Sequence, residues 1–199
     1  MKKLLIATRS AGKLPEMKSL LAGLPFDLYG VGDIPELFDF DVEEVGHTFE
    51  ENAIIKAKGF GEKTGLLALA DDSGLEVDIL HGRPGIRSAR YAPGSDSDRY
   101  LTLLKEMENA RDGERGAQFY SAVAVYEPGT GRVATTNGIC RGRILYEPKG
   151  ERGFGYDPIF FADDLGKTFA EATLEEKQSI DHRGKAMAKM REVLLRDFV

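Results

Sequence analysis

Apolar and polar residues follow each other along this chain in two rhythms, and the changes of rhythm mark its elements. Leu4 to Thr8 is a short, nearly uninterrupted apolar run, which predicts a buried strand. Leu14, Met17, Leu20, Leu21 and Leu24 then recur at steps of three and four, so a helix with one apolar face follows, with Pro15 in its first turn. A second helix opens at Thr48-Phe49-Glu50-Glu51, where Thr48 and Glu51 have the spacing of a reciprocal capping box. It runs through Ala53, Ile54, Ala57 and Phe60 and ends at Gly65. LLALA (66–70) reads as another short buried strand finishing on Asp71-Asp72-Ser73-Gly74, and LEVDIL (75–80) alternates as a half-exposed strand before the turn residues Gly82-Arg83-Pro84-Gly85.

Residues 97–108 predict a helix with Leu101, Leu104 and Met107 on one face. A hairpin follows, AQFYSAVAVY (117–126) turning through EPGTG into RVATTNGIC (132–140). ERGFGYDPIFF (151–161) is a glycine-broken, aromatic-rich loop. Thr173 and Glu176 form a second capping box, and Asp181 is placed to cap a final amphipathic helix with Met187, Met190 and Leu194 in line. Strands and helices are interspersed from end to end, which predicts an α/β fold with a mixed sheet, since the hairpin must be antiparallel. No repeat, low-complexity segment or composition shift divides the chain, so residues 1–199 are expected to form one domain.

Composition narrows the partners. The chain of 199 residues is 42% hydrophobic, carries a formal charge of -6 and has no long Lys/Arg block. A nucleic-acid polymer is therefore not expected, while a small anion held with a divalent metal suits that balance. Cys140 stands alone, which excludes an internal disulfide or Cys-rich zinc site and predicts a small buried side chain in a reducing compartment. MKKLLIATRS has too short an apolar stretch for a signal-peptide core, and no run approaches the length of a membrane span, so a soluble cytoplasmic protein is expected.

Four stretches could carry chemistry. ATRSAGK fails the P-loop pattern, because the first glycine falls on Ala7 and the metal-binding hydroxyl on Leu14. It still offers free amides and hydroxyls at a helix N-terminus, so it is either an anion-holding loop or an ordinary strand-to-helix turn. The adjacent Asp71 and Asp72 repel unless a metal, a proton or a cation joins them, and strand alternation sends them to opposite sides. Spacing does not decide which one faces a ligand, and an Asx-turn is the bland alternative. Glu43-Glu44 is a further carboxylate source. Phe154 and Tyr156 in GFGYDP could stack on a planar base or plug the core. His182, Arg183 and Lys185 crowd a helix start whose dipole disfavours cations, with Lys177 on the preceding helix, an arrangement that favours either an anionic or acceptor-bearing ligand or plain solvent. Taken together, the four stretches match a nucleoside triphosphate with magnesium.

These stretches, ATRSAGK, TFEENAIIKAK, ADDSGLEVDILHGRPGIRSARY, GFGYDPIFF, KTFAEATLEEK and HRGKA, occur in the order in which the chain resembles the inosine triphosphate pyrophosphatase family from about Leu4 to Leu195. The resemblance implies an elongated mixed sheet flanked by helices, in two lobes with the active-site cleft between them. It implies Mg²⁺-dependent hydrolysis of the triphosphates of deaminated purines (ITP, dITP, XTP) to monophosphate and pyrophosphate, by a homodimer. Carried over by motif, Asp72 is the general base and a metal ligand with Glu44. Thr8, Arg9, Ser10, Ala11, Gly12 and Lys13 wrap the triphosphate with Lys56, and Ser73 lies beside the phosphates. Phe154, Gly155, Tyr156 and Asp157 hold base and sugar, while Lys177, His182 and Arg183 read the base. Two positions depart from the family pattern: Ser10, where an asparagine is usual, and Asp181, where a serine is usual.

Overall fold

Leu4, Leu5 and Ile6 are fully buried in strand β1 (Lys2–Ile6), and helix α1 (Lys13–Leu21) turns Met17 and Leu21 inward, as their spacing predicts. The computed structural model describes all residues from Met1 to Val199. Strand β2 (Phe26–Gly30) had no signal strong enough to predict it: five residues, one of them Asp27, pair parallel with β1 in the register Leu4 to Leu28. It is an edge strand, where short length and a charge are tolerated.

Helix α2 (Phe49–Thr64) starts with only half of the expected capping box. Thr48 Oγ1 accepts the Glu51 N–H at 3.1 Å, but the Glu51 carboxylate accepts from the N–H of His47, at 2.7 Å, instead of that of Thr48. Asn52 Oδ1 holds the N–H of Gly46 at 2.8 Å, folding the chain back over the helix start so that the His47 amide reaches Glu51. Gly65, in the left-handed region at φ 68°, closes the helix as expected.

The largest departure lies in strand β3, which runs unbroken from Leu67 to Val77. Two strands separated by Asp71–Gly74 were expected; the carboxylates lie mid-strand instead. Sequence periodicity treats a charged pair as a break, but here Asp71 is paired with Lys13 and Ser121 and Asp72 lies beside Lys56, so the ladder continues through them. The half-exposed strand expected to reach residue 80 stops at Val77 and gives way to a 3₁₀ turn, Asp78–Leu80.

Helix α3 (Asp96–Glu106) is capped by Ser95 in a reciprocal box with Asp98. Of the predicted inward face, Met107, just past the helix, is buried and Leu104 packs on the same core, but Leu101 is 52% exposed and Leu103 takes the fully buried position. The hairpin forms from β4 (Gly116–Glu127) and β5 (Arg132–Ile144), and β6 (Phe160–Ala162) and β7 (Lys167–Thr168) follow. Sheet order is β2-β1-β3-β4-β5-β6-β7, parallel where β1 meets β2 and β3, antiparallel where β6 meets β5 and β7. This is the mixed α/β sheet that the hairpin required. Helix α4 (Leu174–Ile180) has the predicted Thr173–Glu176 box. Asp181 follows in extended backbone, and α5 (His182–Asp197) begins directly after it.

Two compact units make up the chain. One comprises Met1–Asp72, Ser121–Gly138 and Gly184–Val199; the other comprises Ser73–Tyr120 and Ile139–Arg183. The first has a core of Leu4, Ile6, Met17, Leu69, Val123 and Val125 with Met187, Met190 and Leu194 of α5. The second is built on Leu75, Val77, Leu103, Met107, Phe119, Phe160 and Phe169, and includes the fully buried Cys140. No helix is long and apolar enough to cross a membrane.

Candidate active site

In the first unit, the loop after β1 folds on its own hydroxyls. Ser10 donates its N–H to Thr8 Oγ1 at 3.2 Å, and Ser10 Oγ accepts the Lys13 N–H at 3.3 Å, satisfying an otherwise free amide at the start of α1. Gly12 is the N-cap residue, and Ala11 lies beside it on the exposed rim of the loop. The Lys13 side chain meets Asp71 Oδ2 at 2.8 Å. The Arg9 side chain reaches the segment around residues 37–40. Its Nη2 donates to the carbonyls of Leu37 (2.5 Å), Phe38 (3.3 Å) and Phe40, because the 3₁₀ turn Pro35–Leu37 presents those oxygens toward the loop.

Alternation along β3 separates the two aspartates. Asp71 is 1% exposed; its Oδ1 accepts from Ser121 Oγ at 2.5 Å and its Oδ2 pairs with Lys13, so it acts as a fixed support for that lysine. Asp72 faces α2. Lys56 Nζ lies 3.9 Å from Asp72 Oδ1, 2.8 Å from Glu44 Oε1 and 3.1 Å from the carbonyl of Asp71. Asp72 Oδ2 is buried with no hydrogen-bond partner. Burial raises the Asp72 pKa above the ordinary carboxylate value, against the attraction of Lys56 and Lys13 and with the repulsion of Glu44 and Asp71. A carboxylate made more basic, with one oxygen open, suits a general base or a metal ligand. Glu44 and Asp72 already share one cation, the Lys56 ammonium, and such hard oxygen donors fit Mg²⁺. Ser121 was not anticipated. Its only signal was a small hydroxyl residue opening the stretch 121–126 of β4, which is otherwise apolar and buried throughout.

In the second unit, the GFGYDP loop is organised by Asp157. Its Oδ2 accepts the Phe154 N–H at 3.0 Å and pairs with Lys177 Nζ at 2.8 Å, both side chains being almost fully buried. The approach is close enough to require Gly153: a Cβ there would fall 2.1 Å from Asp157 Oδ2, and φ is 76°. The Lys177 ammonium lies 4.9 Å from the Phe154 ring centroid and 5.3 Å from that of Phe169. Arg183 Nη2 donates to Ser73 Oγ at 3.0 Å, with its guanidinium 5.8 Å from the Phe154 ring, and the His182 ring stacks on Phe119 at 4.7 Å. Ser73, Phe154, Asp157, Lys177 and Arg183 are thus linked through direct contacts.

Two members of the expected base-binding segment make contacts within the protein. Tyr156 is 4% exposed, its ring is part of the second core and its hydroxyl donates to the Ser88 carbonyl at 2.8 Å. Burial pushes its pKa far above the ordinary value. Of the two readings open for this aromatic, core plug describes it. Gly155 gives its N–H to Asp96 Oδ2 at 2.7 Å. Asp96, Ser88 and Phe119 were missed: the first two lie in polar runs that read as caps and turns, and Phe119 as an ordinary hairpin residue.

A model describing the Ham1 family matches residues 4–193. The "dITP/XTP pyrophosphatase" of Desulforamulus reducens is 46% identical over 99% of this chain and 98% of that protein. The protein so named from Symbiobacterium thermophilum is 48% identical over 97% and 95%. Among solved structures, a HAM1 protein from Coxiella burnetii has a TM-score of 0.87 at 39% identity, covering 98% of this chain and 99% of that one. The Staphylococcus aureus Ham1 protein has a TM-score of 0.85 at 37% identity, covering 98% of both.

Proposed function

The chain belongs to the Ham1 family, and on that premise we propose that it hydrolyses the triphosphates of deaminated purines (ITP, dITP and XTP) between the α and β phosphates, releasing monophosphate and pyrophosphate. The observation that carries the chemistry is Asp72: a buried carboxylate of raised pKa, one oxygen open, flanked by two lysines and Glu44. Asp72 takes a proton from the attacking water as the new P–O bond forms and the bond to the leaving pyrophosphate breaks. Lys13, steadied by Asp71 and Ser121, and Lys56 neutralise phosphate charge as it develops. Glu44 and Asp72 would hold Mg²⁺, which when bound supplies Lewis-acid stabilisation of the phosphoryl oxygens.

The second set of residues supplies base recognition. Lys177, held by Asp157 and two aromatic faces, is a donor suited to the 6-keto oxygen of hypoxanthine or xanthine. Adenine would present amino hydrogens to that buried donor where the 6-keto bases present an acceptor, a mismatch worth roughly 10⁴-fold or more in kcat/KM. The reading includes a homodimer acting in the cytoplasm; sedimentation equilibrium measures the former. A panel of ITP, dITP, XTP, ATP and GTP with Mg²⁺, scored for both pyrophosphate and orthophosphate, tests the activity. Pyrophosphate from the first three is expected; orthophosphate as the sole phosphorus product, or equal rates with ATP, overturns it.

A further inference from the structure

Glu44 has no regular element to hold it. The chain leaves the 3₁₀ turn at Leu37 and runs without helix or strand until α2 starts at Phe49, so the place of the Glu44 carboxylate depends on how this segment is pinned. From Phe40 onward it rests on α2: the Phe40 ring packs edge-on against Phe60 at 5.3 Å, Val42 crosses so close to Gly59 that a Cβ there would meet Val42 Cγ2 at 2.6 Å, and Gly46 is tied to Asn52. At its start the pin is Arg9, whose Nη2 gathers the carbonyls of Leu37, Phe38 and Phe40, with Nε 3.9 Å from Asp41 Oδ1. Arg9 belongs to the loop that also contains Ser10 and Lys13. One guanidinium therefore joins the phosphate-side loop to the segment that delivers Glu44.

We propose that Arg9 is a positioning residue which fixes Glu44 against Asp72 and thereby sets divalent-cation affinity, while making no contact with the nucleotide. A guanidinium suits the task because it remains charged at all working pH values and carries several donors in a rigid fork, so it can satisfy carbonyls that a flexible segment would otherwise turn to water. Residues that orient a metal ligand without touching the metal typically change its affinity by about 10- to 100-fold. The inference rests on the reading of Glu44 and Asp72 as the cation ligands.

The test titrates Mn²⁺ into the nucleotide-free protein by calorimetry and separately measures KM for ITP at saturating Mg²⁺, for wild type, Arg9→Ala, Arg9→Lys and Glu44→Gln. The expected result is Mn²⁺ binding weakened about tenfold or more in Arg9→Ala, only partly recovered in Arg9→Lys, whose ammonium can reach a carbonyl but lacks the rigid fork, with KM for ITP within about twofold of wild type in both. Unchanged Mn²⁺ affinity in Arg9→Ala overturns the proposal, and a raised KM alongside it makes Arg9 a phosphate ligand instead. Glu44→Gln separates the premise: if it too leaves Mn²⁺ affinity unchanged, the ligand assignment fails and the proposal with it, whereas weakening in Glu44→Gln alone refutes only the role of Arg9. Should Arg9→Ala fail to fold, Arg9→Met, which keeps the length of the stem, takes its place in the same comparison.

Discussion

Asp72→Asn should abolish hydrolysis and, in the absence of metal, stabilise the fold at neutral pH. The Lys56 ammonium stands 3.9 Å from the Asp72 carboxylate, and at that separation two unit charges attract by about 4 kcal/mol at an effective dielectric near 20. The Asp72 pKa is nevertheless raised, with burial as the largest cause, so burial and the neighbouring Glu44 and Asp71 together outweigh both lysines. An ionised Asp72 is then a load on the folded state, and an amide of the same shape removes it. A gain in stability over wild type is therefore expected at neutral pH, read as a higher Tm for the variant.

The sign follows from linkage. Below the ordinary carboxylate range Asp72 is protonated in both folded and unfolded chains, and the difference between wild type and variant is at its baseline. As pH rises, the unfolded chain loses the proton first and wild type falls behind the variant, until the folded Asp72 ionises and the gap levels off. Urea unfolding of both proteins from pH 4 to 8 in EDTA measures this gap directly. If wild type gains on Asp72→Asn as pH rises, the lysines dominate the site, the carboxylate is acidified and its description as a base burdened by burial is wrong. Mn²⁺ should narrow the gap by stabilising wild type alone.

Three further outcomes follow from the geometry. Asp71→Asn leaves the Lys13 ammonium without its buried partner and should lower stability by about 3 kcal/mol; pyrophosphate should raise Tm more in this variant than in wild type, and an equal rise would mean that Lys13 does not meet the phosphates. Tyr156→Phe should cost about 1 kcal/mol through the lost hydrogen bond to Ser88 while KM for ITP stays within about twofold, and a tenfold rise would return the hydroxyl to the substrate. Glu176 titrates at about 2, held down by Lys167 first and then by the Thr173 amide, so its contribution is present above the ordinary value of 4.5 and is lost as pH falls toward 2; the Tm difference between wild type and Glu176→Gln should shrink over that interval.

Most helices were legible because capping and apolar spacing are local. Thr173 with Glu176, Gly65, and the line of Met187, Met190 and Leu194 are all where the pattern puts them. What escaped was set by partners distant in the chain. The continuity of β3 depends on Lys13, Lys56 and Ser121, none of which lies near Asp71 or Asp72 in sequence, so a strand that tolerates two carboxylates looks locally like a strand that ends. The contacts of the Arg9 side chain were hidden for the same reason: its acceptors are carbonyls some 30 residues away, invisible to any motif. Strand β2 could be seen only with β1 beside it. Alternation showed that Asp71 and Asp72 diverge, but the three-dimensional partners were needed to see which one keeps an open oxygen.

The unbroken course of β3 makes the site a matter of parity. Leu67, Leu69, Leu75 and Val77 occupy odd positions of the strand and fill two separate cores, Asp71 sits on that same parity against Lys13 and Ser121, and Asp72 takes the even face with the small Ala68, Ala70 and Gly74. A single inserted residue after Asp72 would leave both carboxylates and the first core untouched, yet invert everything downstream, turning Leu75 and Val77 out of the second core. Chain length through this stretch is therefore constrained to even steps, and the constraint comes from packing rather than from chemistry at either aspartate.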